Sequence, residues 1–376
     1  MKILFNYADY SHNEKRKKEN TYGGLGYYRI IKIAEYFKSE GHEVKVIGKE
    51  IQLFGNSLES QFDEVFKKYD IYWTNYFSDE RAGASIFYNA QKHGKRVVID
   101  CDDNYLDVPE SNLLYDKFKK TKKDRAMLST ILSFADVIVT TTEPLKKRLH
   151  DHIKQLHNID KKIVVIPNYN DIKDWNYKPA DKSENDFIIG YAGSNSHHND
   201  IRMVLPSIVK IMEKYKNVRF QCLGVVGTND VNKVYKGIKK DIMDRMDLVG
   251  ATETFKEYPE WLSKQKWDVG ICPLVNTPFT QCKSHIKWME YSMYKIPVIA
   301  SRVYPYYMQI DGKDTIRDEE TGLLVKDNEW FDAIEKLILN KDLRIKLGEQ
   351  AYNYISKEMQ YSSSTITEKV NNVIAI

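Results

Sequence analysis

The 376-residue sequence contains no apolar run that approaches the roughly 18 consecutive residues of a membrane-spanning helix. The N-terminal stretch MKILFNYADY has an apolar part too short for a signal peptide, and it is typical of a first β-strand instead. From these two absences we expect a cytoplasmic protein with no transmembrane segment, either free or peripheral to a membrane.

Cysteine is scarce and poorly spaced for metal binding. The four cysteines are Cys101, Cys222, Cys272 and Cys282, and none of them forms a C-x-x-C pair. No histidine lies at metal-ligand spacing from them. The pattern favours reduced thiols over a disulfide framework or a structural zinc site. For the chain as a whole we expect no metal and no cofactor.

A strong charge of one sign is also missing. The sequence has 57 lysines and arginines against 53 aspartates and glutamates, and this net charge of +4 is too small for a dedicated nucleic-acid binder. Two basic clusters stand out, Lys15–Lys18 and Lys117–Arg125. They are interpreted either as solvated surface or as a binding site for an anionic acceptor substrate.

The residues that are present predict two α/β domains. The length suits two domains, and 42% hydrophobic with 29% charged residues is an ordinary globular balance. Short Val- and Ile-rich segments alternate with helical ones, which is typical of parallel sheets covered on both faces. The predicted strands are 2–6, 43–47, 70–74, 96–100, 136–140, 162–166, 187–191, 218–223, 267–272, 297–301 and 322–325.

This alternation also gives the domain boundaries. We expect an N-terminal domain over 1–170 and a C-terminal domain over 175–355, with a polar segment of no clear periodicity at their junction. The tail from Glu329 onwards looks almost entirely helical. A last helix within 356–376 would be free to cross back and pack on the N-terminal domain.

The most informative stretch is CKSHIKWMEYSMYKIPVIAS, which begins at Cys282. It predicts a helix with Ser284 as its N-cap. On a helical wheel Lys283, Lys287 and Glu290 fall in one narrow sector. Two ammonium groups for a diphosphate and a carboxylate for ribose hydroxyls, near a helix N-terminus, match the needs of a bound nucleotide sugar. The alternative is an ion-pair pattern along a solvated helix face.

A resemblance to GT-B glycosyltransferases, and most of all to the retaining group often called family 4, is carried by KSHIKWMEYSMYKIPVIAS and the later TGLLV. The preceding WDVGICPL is similar to the strand that leads to that group's donor loop. In the N-terminal half, the similar stretches are GGLGYYRIIKIAEYFKSEGHEVKVI and VVIDCDDNYLDVP. The likeness covers nearly the whole chain.

The resemblance implies a GT-B fold, in which two Rossmann-like, doubly wound domains face a cleft and the second domain holds most of the donor. It implies that Glu290 grips the donor ribose. Many members carry another glutamate eight residues earlier, where this chain has Cys282, so that side chain's usual contact with the transferred sugar is missing. Backbone N–H groups of the loop from Cys282 to Ser284 can still contact the sugar or the phosphate.

The segment YAGSNSHHNDIR follows the first strand of the second domain. Gly193, with Ser194 beside it, lets the backbone approach a phosphate at the N-terminus of the next helix. Arg202 is one turn into that helix and is placed to bind the diphosphate. The alternative is a tight turn with a surface arginine. A metal site at His197 and His198 is not favoured, because adjacent residues at a helix start rarely chelate together.

A glycine-rich segment of the first domain, TYGGLGYYR, contains Gly23, Gly24 and Gly26. It lacks the G-x-G-x-x-G spacing of a dinucleotide fingerprint. We expect this turn after the first strand to line the cleft, with Arg29 directed at the donor phosphates or at an acceptor. The alternative is a flexible turn.

Three carboxylates, Asp100, Asp102 and Asp103, follow the fourth strand at the end where such folds bind ligands. Crowded carboxylates raise one another's pKa and suit proton transfer, so Asp102 and Asp103 are the candidate catalytic residues. The alternatives are turn acids or a D-x-D metal motif. We do not favour the metal motif, because the GT-B resemblance implies that cationic side chains and helix dipoles neutralise the leaving diphosphate.

Together these features predict a glycosyltransferase that moves a sugar from a UDP- or GDP-type donor to a hydroxyl acceptor, with retention implied by the resemblance alone. The acceptor classes that remain open are a glycan, a lipid-linked glycan and a modified DNA base. Two rival interpretations are an enzyme that adds sugar to a nucleic-acid base and a non-catalytic sugar-nucleotide-binding protein.

Overall fold

The computed structural model describes residues 1–7, 22–48, 57–75, 80–110, 112, 115, 122–181, 185–225, 233–250, 252, 254–310, 312–361 and 363–375. The basic cluster Lys15–Lys18 therefore lies outside the described residues. The same holds for the side chains of Lys117–Arg125.

The N-terminal domain is a six-stranded parallel sheet with the order β2-β1-β3-β4-β5-β6. Its strands are β1 Lys2–Asn6, β2 Glu43–Ile47, β3 Ile71–Asn75, β4 Arg96–Cys101, β5 Val137–Thr140 and β6 Ile163–Val165. Its helices are α1 Lys32–Ser39, α2 Leu58–Lys68, α3 Glu80–His93, α4 Lys122–Phe134 and α5 Glu143–His157. Val98 and Ile99, which face opposite sides of the sheet, are both buried, because helices cover both faces.

The C-terminal domain contains a second parallel six-stranded sheet and a small two-stranded one. The strands are β7 Phe187–Ala192, β8 Val218–Leu223, β9 Met246–Val249, β10 Val269–Cys272, β11 Val298–Ser301, β12 Gln309–Ile310, β13 Lys313–Asp314 and β14 Leu323–Val325. The helices are α6 His198–Lys214, α7 Lys240–Met243, α8 Tyr258–Ser263, α9 Ile286–Ser292, α10 Tyr304–Tyr307 and α11 Trp330–Leu339. Short 3-10 turns are Ile172–Trp175, Asn195–His197, Lys233–Tyr235, Phe255–Glu257 and Thr280–Cys282.

The strand order β14-β11-β10-β7-β8-β9 places the first strand of this domain in the middle of the sheet. The chain continues to β8 on one side of β7, while β10 pairs with β7 on the other side. Such a reversal creates a crevice at the carboxyl ends of the two central strands, where doubly wound folds bind ligands. The turn after β7 and the loop after β10 therefore form this crevice.

The C-terminal tail crosses back to the first domain. It consists of α12 Lys341–Glu358 and α13 Ser363–Ile374. Val370 of α13 is buried in the same apolar cluster as Phe5 and Ile30. The hydroxyl of Tyr36 donates to Thr367 Oγ1 at 2.8 Å. The predicted return of the last helix is confirmed.

Within the described residues, the chain passes between the domains at two places that lie side by side. The backbone N–H of Asn170 donates to the carbonyl of Met359 at 3.1 Å, and the N–H of Tyr361 donates to the carbonyl of Asn170 at 2.7 Å. The outgoing and returning segments are therefore hydrogen bonded to each other. None of the described helices has the length and apolar character that a membrane crossing demands.

The local differences from the predicted elements are small but informative. The short edge strand β9 and the helix α2 were not predicted. The helix α9 begins at Ile286, later than predicted, and His285 occupies the N-cap position without a side-chain cap. The predicted cap by Ser284 is wrong, because its hydroxyl instead accepts a hydrogen bond from Asn168 Nδ2 at 3.0 Å.

Candidate active site

A cavity of about 320 Å³ lies between the domains, at the carboxyl ends of their strands. The predicted site residues that line it are Gly23, Gly24, Asp102, Asp103, Gly193, Ser194, Lys283, Ser284, Lys287 and Glu290. The sequence did not predict a role for the other lining residues, which are Asn168, Ala192, His197, Leu223, Thr252, Thr254, Phe255, Tyr258 and Ile286. The structure thus brings most of the predicted site residues to one place.

The carboxylate of Glu290, on α9, bridges the two domains. Its Oε1 accepts a hydrogen bond from the hydroxyl of Tyr28 in the N-terminal domain at 3.1 Å. Its Oε2 accepts one from the hydroxyl of Tyr258 in the C-terminal domain, also at 3.1 Å. The side chain is 7% exposed, and this burial raises the pKa of Glu290 to about 7, although the charge of Lys287 acts in the opposite direction. The carboxylate therefore changes its charge near neutral pH.

Lys283 lies just before α9 in an extended conformation, with φ −70° and ψ 168°. The wheel that placed it on the helix was therefore wrong, yet the side chain still reaches the cavity. Its Nζ is 3.0 Å from Oδ1 and 3.1 Å from Oδ2 of Asp103, across the cleft. The charge of Lys283 is therefore already neutralised by a carboxylate of the other domain.

Lys287 is in a different electrostatic situation. Its Nζ lies 3.3 Å from Nε2 of His197 and 5.8 Å from the centroid of the Tyr191 ring. Among the described residues, no carboxylate oxygen lies within 4.0 Å of this Nζ. Burial lowers the pKa of Lys287, and the positive charge of Lys283 acts in the same direction. Among the described residues the ammonium group has no carboxylate in direct contact, although Asp200 and Glu290 attract it from farther away, so it can still pair with an anion that enters the cavity.

His197 is held by a carboxylate on its other side. Its Nδ1 is 2.7 Å from Oδ2 of Asp200, and Oδ1 of Asp200 accepts a hydrogen bond from the N–H of Val275 at 2.8 Å. Burial lowers the pKa of His197 to about 4, and Lys287 lowers it further against the opposing effect of Asp200. The imidazole is therefore neutral at pH 7. With its proton on Nδ1, the Nε2 lone pair is free to accept a hydrogen bond from Lys287.

Asp102 also faces the cavity from the N-terminal domain. Its Oδ1 accepts a hydrogen bond from the Tyr105 hydroxyl at 2.8 Å. Burial raises the pKa of Asp102 to about 7, and the neighbouring charge of Asp103 contributes in the same direction. A carboxyl group with this pKa can accept or donate a proton near neutral pH.

The turn after β7 contributes Gly193 and Ser194 to the cavity wall. A Cβ atom on Gly193 would lie 2.4 Å from the Tyr191 hydroxyl, so only glycine fits here without rearrangement. The N–H of Gly193 donates to the carbonyl of Leu223 at 3.1 Å and is not available to a phosphate. The hydroxyl of Ser194 lies 2.7 Å from that of Ser196.

Arg29 does not line the cavity, and the prediction that it points at donor phosphates is wrong. The residue is 1% exposed. Its Nε and Nη2 donate to the carboxylate of Asp100 at 2.9 and 3.0 Å, and its Nη1 donates to the carbonyl of Ile166 at 2.6 Å. A buried, bidentate ion pair of this kind joins elements of one domain. The alternative of a D-x-D metal motif is therefore weakened, because the carboxylate of Asp100, its first residue, is already bound by Arg29.

Three other predicted residues also lie outside the cavity wall. Gly26 is buried in a helical turn that precedes α1. Arg202 is exposed on α6, as in the alternative interpretation of a surface arginine. Cys282 is fully buried, and its thiol donates to the carbonyl of Pro278 at 3.3 Å. Burial raises the pKa of Cys282 to about 12, which makes a thiolate at this position unfavourable at neutral pH.

Among the site residues that sequence reasoning missed, His197, Tyr28 and Tyr258 contact Lys287 or Glu290 directly. His197 and Asp200 are three residues apart, a spacing that permits a local hydrogen bond and could have signalled a pair. No spacing rule joins Tyr28 to Glu290, because the two residues meet only when the domains pack together. Among the described residues, no three His, Cys, Asp or Glu side chains are grouped so as to hold a metal ion.

The two facing, doubly wound domains and their shared cavity define a GT-B fold. Residues 186–340 match the family model of glycosyl transferases group 1, and this range includes every C-terminal-domain residue of the cavity wall. Residues 186–340 are therefore similar to a glycosyltransferase group 1 domain, which supports a transferase. No curated protein matches the sequence.

Several solved structures are similar to most or all of the chain. An α-glucosyltransferase in complex with UDP has a TM-score of 0.65 at 15% identity and covers 100% of both chains. The catalytic domain of starch synthase IV from Arabidopsis thaliana, bound to ADP and acarbose, has a TM-score of 0.65 at 13% identity, also with 100% of both chains covered. TarM has a TM-score of 0.59 at 16% identity over 85% of this chain, which spans 58% of TarM. At these identities the similarities establish the fold.

Proposed function

We propose that the protein transfers a sugar from a nucleoside-diphosphate sugar of the UDP or GDP type to a hydroxyl acceptor. The observation that carries the proposal is the pairing of Lys287 and Glu290, one helical turn apart on α9 and both facing the interdomain cavity. An ammonium group without a carboxylate partner suits a diphosphate. A buried carboxylate beside it suits the hydroxyls of a ribose.

The donor would lie along the wall formed by α9 and the turn after β7. Lys287 would neutralise the diphosphate, assisted by Lys283 once its bond to Asp103 is shared with the ligand. Glu290 would accept hydrogen bonds from the ribose. Each oxygen of Glu290 already accepts one tyrosine hydroxyl, and a carboxylate oxygen has room for a second donor.

Retention is the stereochemistry that we propose, on the basis of the resemblance to family 4. The bond from the anomeric carbon to the donor phosphate breaks and a bond to the acceptor oxygen forms on the same face. The leaving phosphate oxygen takes the acceptor proton, so this route needs no protein base. If the enzyme inverts instead, we favour Asp102 over Asp103 as the general base. The pKa of Asp102 is raised to about 7, and Asp103 is paired with Lys283.

The acceptor is proposed to be a glycan or a lipid-linked glycan, and a nucleic-acid base is the second candidate. The two basic clusters of the sequence fit any anionic acceptor. One similar structure is an α-glucosyltransferase with UDP and a 13-mer DNA, at a TM-score of 0.64 and 14% identity. A gel shift with duplex DNA across a salt series separates the candidates, because retention of the DNA that weakens steeply with salt would favour the second.

We further propose that the reaction needs no divalent metal and takes place in the cytoplasm. The lysines of the cavity wall support the first statement. The second is supported by four cysteines that are all free and buried, as expected in a reducing compartment.

The first experiment is a calorimetric screen of UDP, GDP and ADP, followed by a donor-hydrolysis assay with the sugar nucleotides of whichever diphosphate binds. Tight binding together with slow hydrolysis would support a transferase. Tight binding with no turnover against any acceptor would favour the non-catalytic alternative. A protein that binds none of the three diphosphates would contradict the proposal.

A further inference from the structure

The two lysines of the cavity wall are stabilised in different ways. Lys283 is neutralised by Asp103, whereas the partner of Lys287 is the ring of His197 at 3.3 Å. A carboxylate that orients an ammonium group also cancels its charge. A neutral imidazole orients the group through a lone pair and leaves the charge in place. The arrangement at Lys287 therefore preserves a positive charge for a ligand.

We propose that His197 is a positioning residue that holds the charged Lys287 against the diphosphate of the donor. This inference rests on the proposed function, because it assigns the diphosphate to Lys287. Asp200 fixes the orientation of the ring by accepting from Nδ1 at 2.7 Å, which directs Nε2 at the lysine. The carboxylate of Asp200 also accepts a hydrogen bond from the N–H of Val275. Asp200 therefore connects the start of α6 to the loop after β10.

The charged groups that face this pair are Asp200, Lys283 and Glu290. If His197 were absent, burial and the remaining repulsion from Lys283 would favour a displaced or deprotonated Lys287. The attraction of Glu290 would draw its Nζ towards the ribose end of the site. Loss of the imidazole should therefore misplace the cation and weaken the diphosphate contact without affecting the nucleoside.

Two substitutions of His197 separate its two hydrogen bonds. In His197→Asn the shorter amide can still bond Asp200 but cannot reach Lys287. In His197→Gln the longer amide places a carbonyl oxygen near the former Nε2. The probes are UDP and GDP with uridine and guanosine, measured by titration calorimetry. We expect His197→Asn to weaken diphosphate binding about tenfold, His197→Gln to stay within about threefold of wild type, and neither to change nucleoside binding.

A double-mutant cycle with Lys287→Met tests whether His197 acts through the lysine. In the Lys287→Met background, His197→Asn should cause no further loss. Arg202→Ala is the matched control, since it removes a positive charge from the exposed side of α6, the helix that follows His197, and should leave diphosphate affinity unchanged.

Three outcomes would overturn the inference. The first is a tenfold loss from His197→Asn that persists when Lys287 is already methionine. The second is equal losses for diphosphate and nucleoside. The third is equally tight binding of a diphosphate by the wild type and by His197→Asn. That result would overturn the role of His197 and leave the proposed function intact. A wild type that binds no diphosphate overturns the proposed function together with the inference.

Discussion

Replacement of Glu290 by glutamine tests the proposed donor site most directly. The amide keeps the shape of the side chain and removes its charge. Tyr28 has a second acceptor within reach, Asn170 Oδ1 at 3.2 Å, so it can donate there and accept from the new amide nitrogen. The amide oxygen remains available to Tyr258. The domain contact should therefore survive, and folding should not be lost.

The expected loss of donor affinity follows from the hydrogen bonds that the ribose would make. A hydrogen bond to a buried carboxylate contributes about 1.5–3 kcal/mol, whereas the amide is uncharged and has one acceptor oxygen in place of two, with room for a single donor beside Tyr258. We therefore expect Glu290→Gln to weaken binding of the nucleoside diphosphate about tenfold to a hundredfold, or roughly 1.4–3 kcal/mol. The effect is larger than that of an exposed carboxylate, because the side chain is 7% exposed.

The assay is titration calorimetry with a nucleoside diphosphate and its 2′,3′-dideoxy analogue. The analogue should bind wild type and Glu290→Gln about equally, because it lacks the hydroxyls that the carboxylate would hold. The pH dependence gives a second readout. Since the pKa of Glu290 is raised to about 7, wild-type affinity should fall between pH 8 and pH 6 more steeply than that of the variant, in which the terminal phosphate of the ligand still titrates. Strong discrimination against the dideoxy analogue by the variant would refute the reasoning.

Four further predictions concern stability, metal and mechanism. Because burial raises the pKa of Glu290, the charged form destabilises the fold as pH rises from about 4.5 to about 7, so Glu290→Gln should melt higher than wild type at pH 8 and not at pH 4. Arg29→Met should cost about 3–5 kcal/mol in urea unfolding, since it leaves the carboxylate of Asp100 buried and unpaired; an effect on donor affinity alone would contradict this. Activity should persist in excess EDTA, and a loss that magnesium restores would revive a metal mechanism. Under retention, Asp102→Asn should lower kcat less than about tenfold, whereas a loss of about a hundredfold or more would indicate a general base and inversion.

The fold could be predicted from sequence because its signals are local. The strand β4 is recognised by its run of Val and Ile residues. The end of α1 is recognised by Gly41, which has φ +83°. Both signals depend only on residues that are close together in the sequence. The edge strand β9 was missed because it is short and only partly buried, so its pattern resembles that of a loop. The same locality explains why Lys287 and Glu290 could be placed together, since both lie on one helix.

The parts of the site that could not be predicted depend on contacts between distant segments. Arg29 follows a glycine-rich turn, which suggested a contact with a ligand. Its guanidinium group instead forms a buried ion pair with Asp100 in the domain core. Arg202 was assigned because it lies one turn into the helix that follows Gly193, but its side chain is on the exposed face of that helix. Tyr28 and Tyr258 carry no local signal for Glu290, because their hydroxyls converge only through tertiary packing.

The side-by-side crossings at Asn170 and Tyr361 have a mechanical consequence. Two covalent connections that are hydrogen bonded to each other would act as a single hinge between the domains. A rotation that opens the cleft would then turn about these two crossings. Tyr28 lies at this hinge, because its hydroxyl donates a hydrogen bond to Asn170 Oδ1 at 3.2 Å and its carbonyl accepts one from the Tyr361 hydroxyl at 2.7 Å. Its contact with Glu290 should therefore change little during such a rotation. The ribose end of the site would then stay aligned while the domains separate elsewhere.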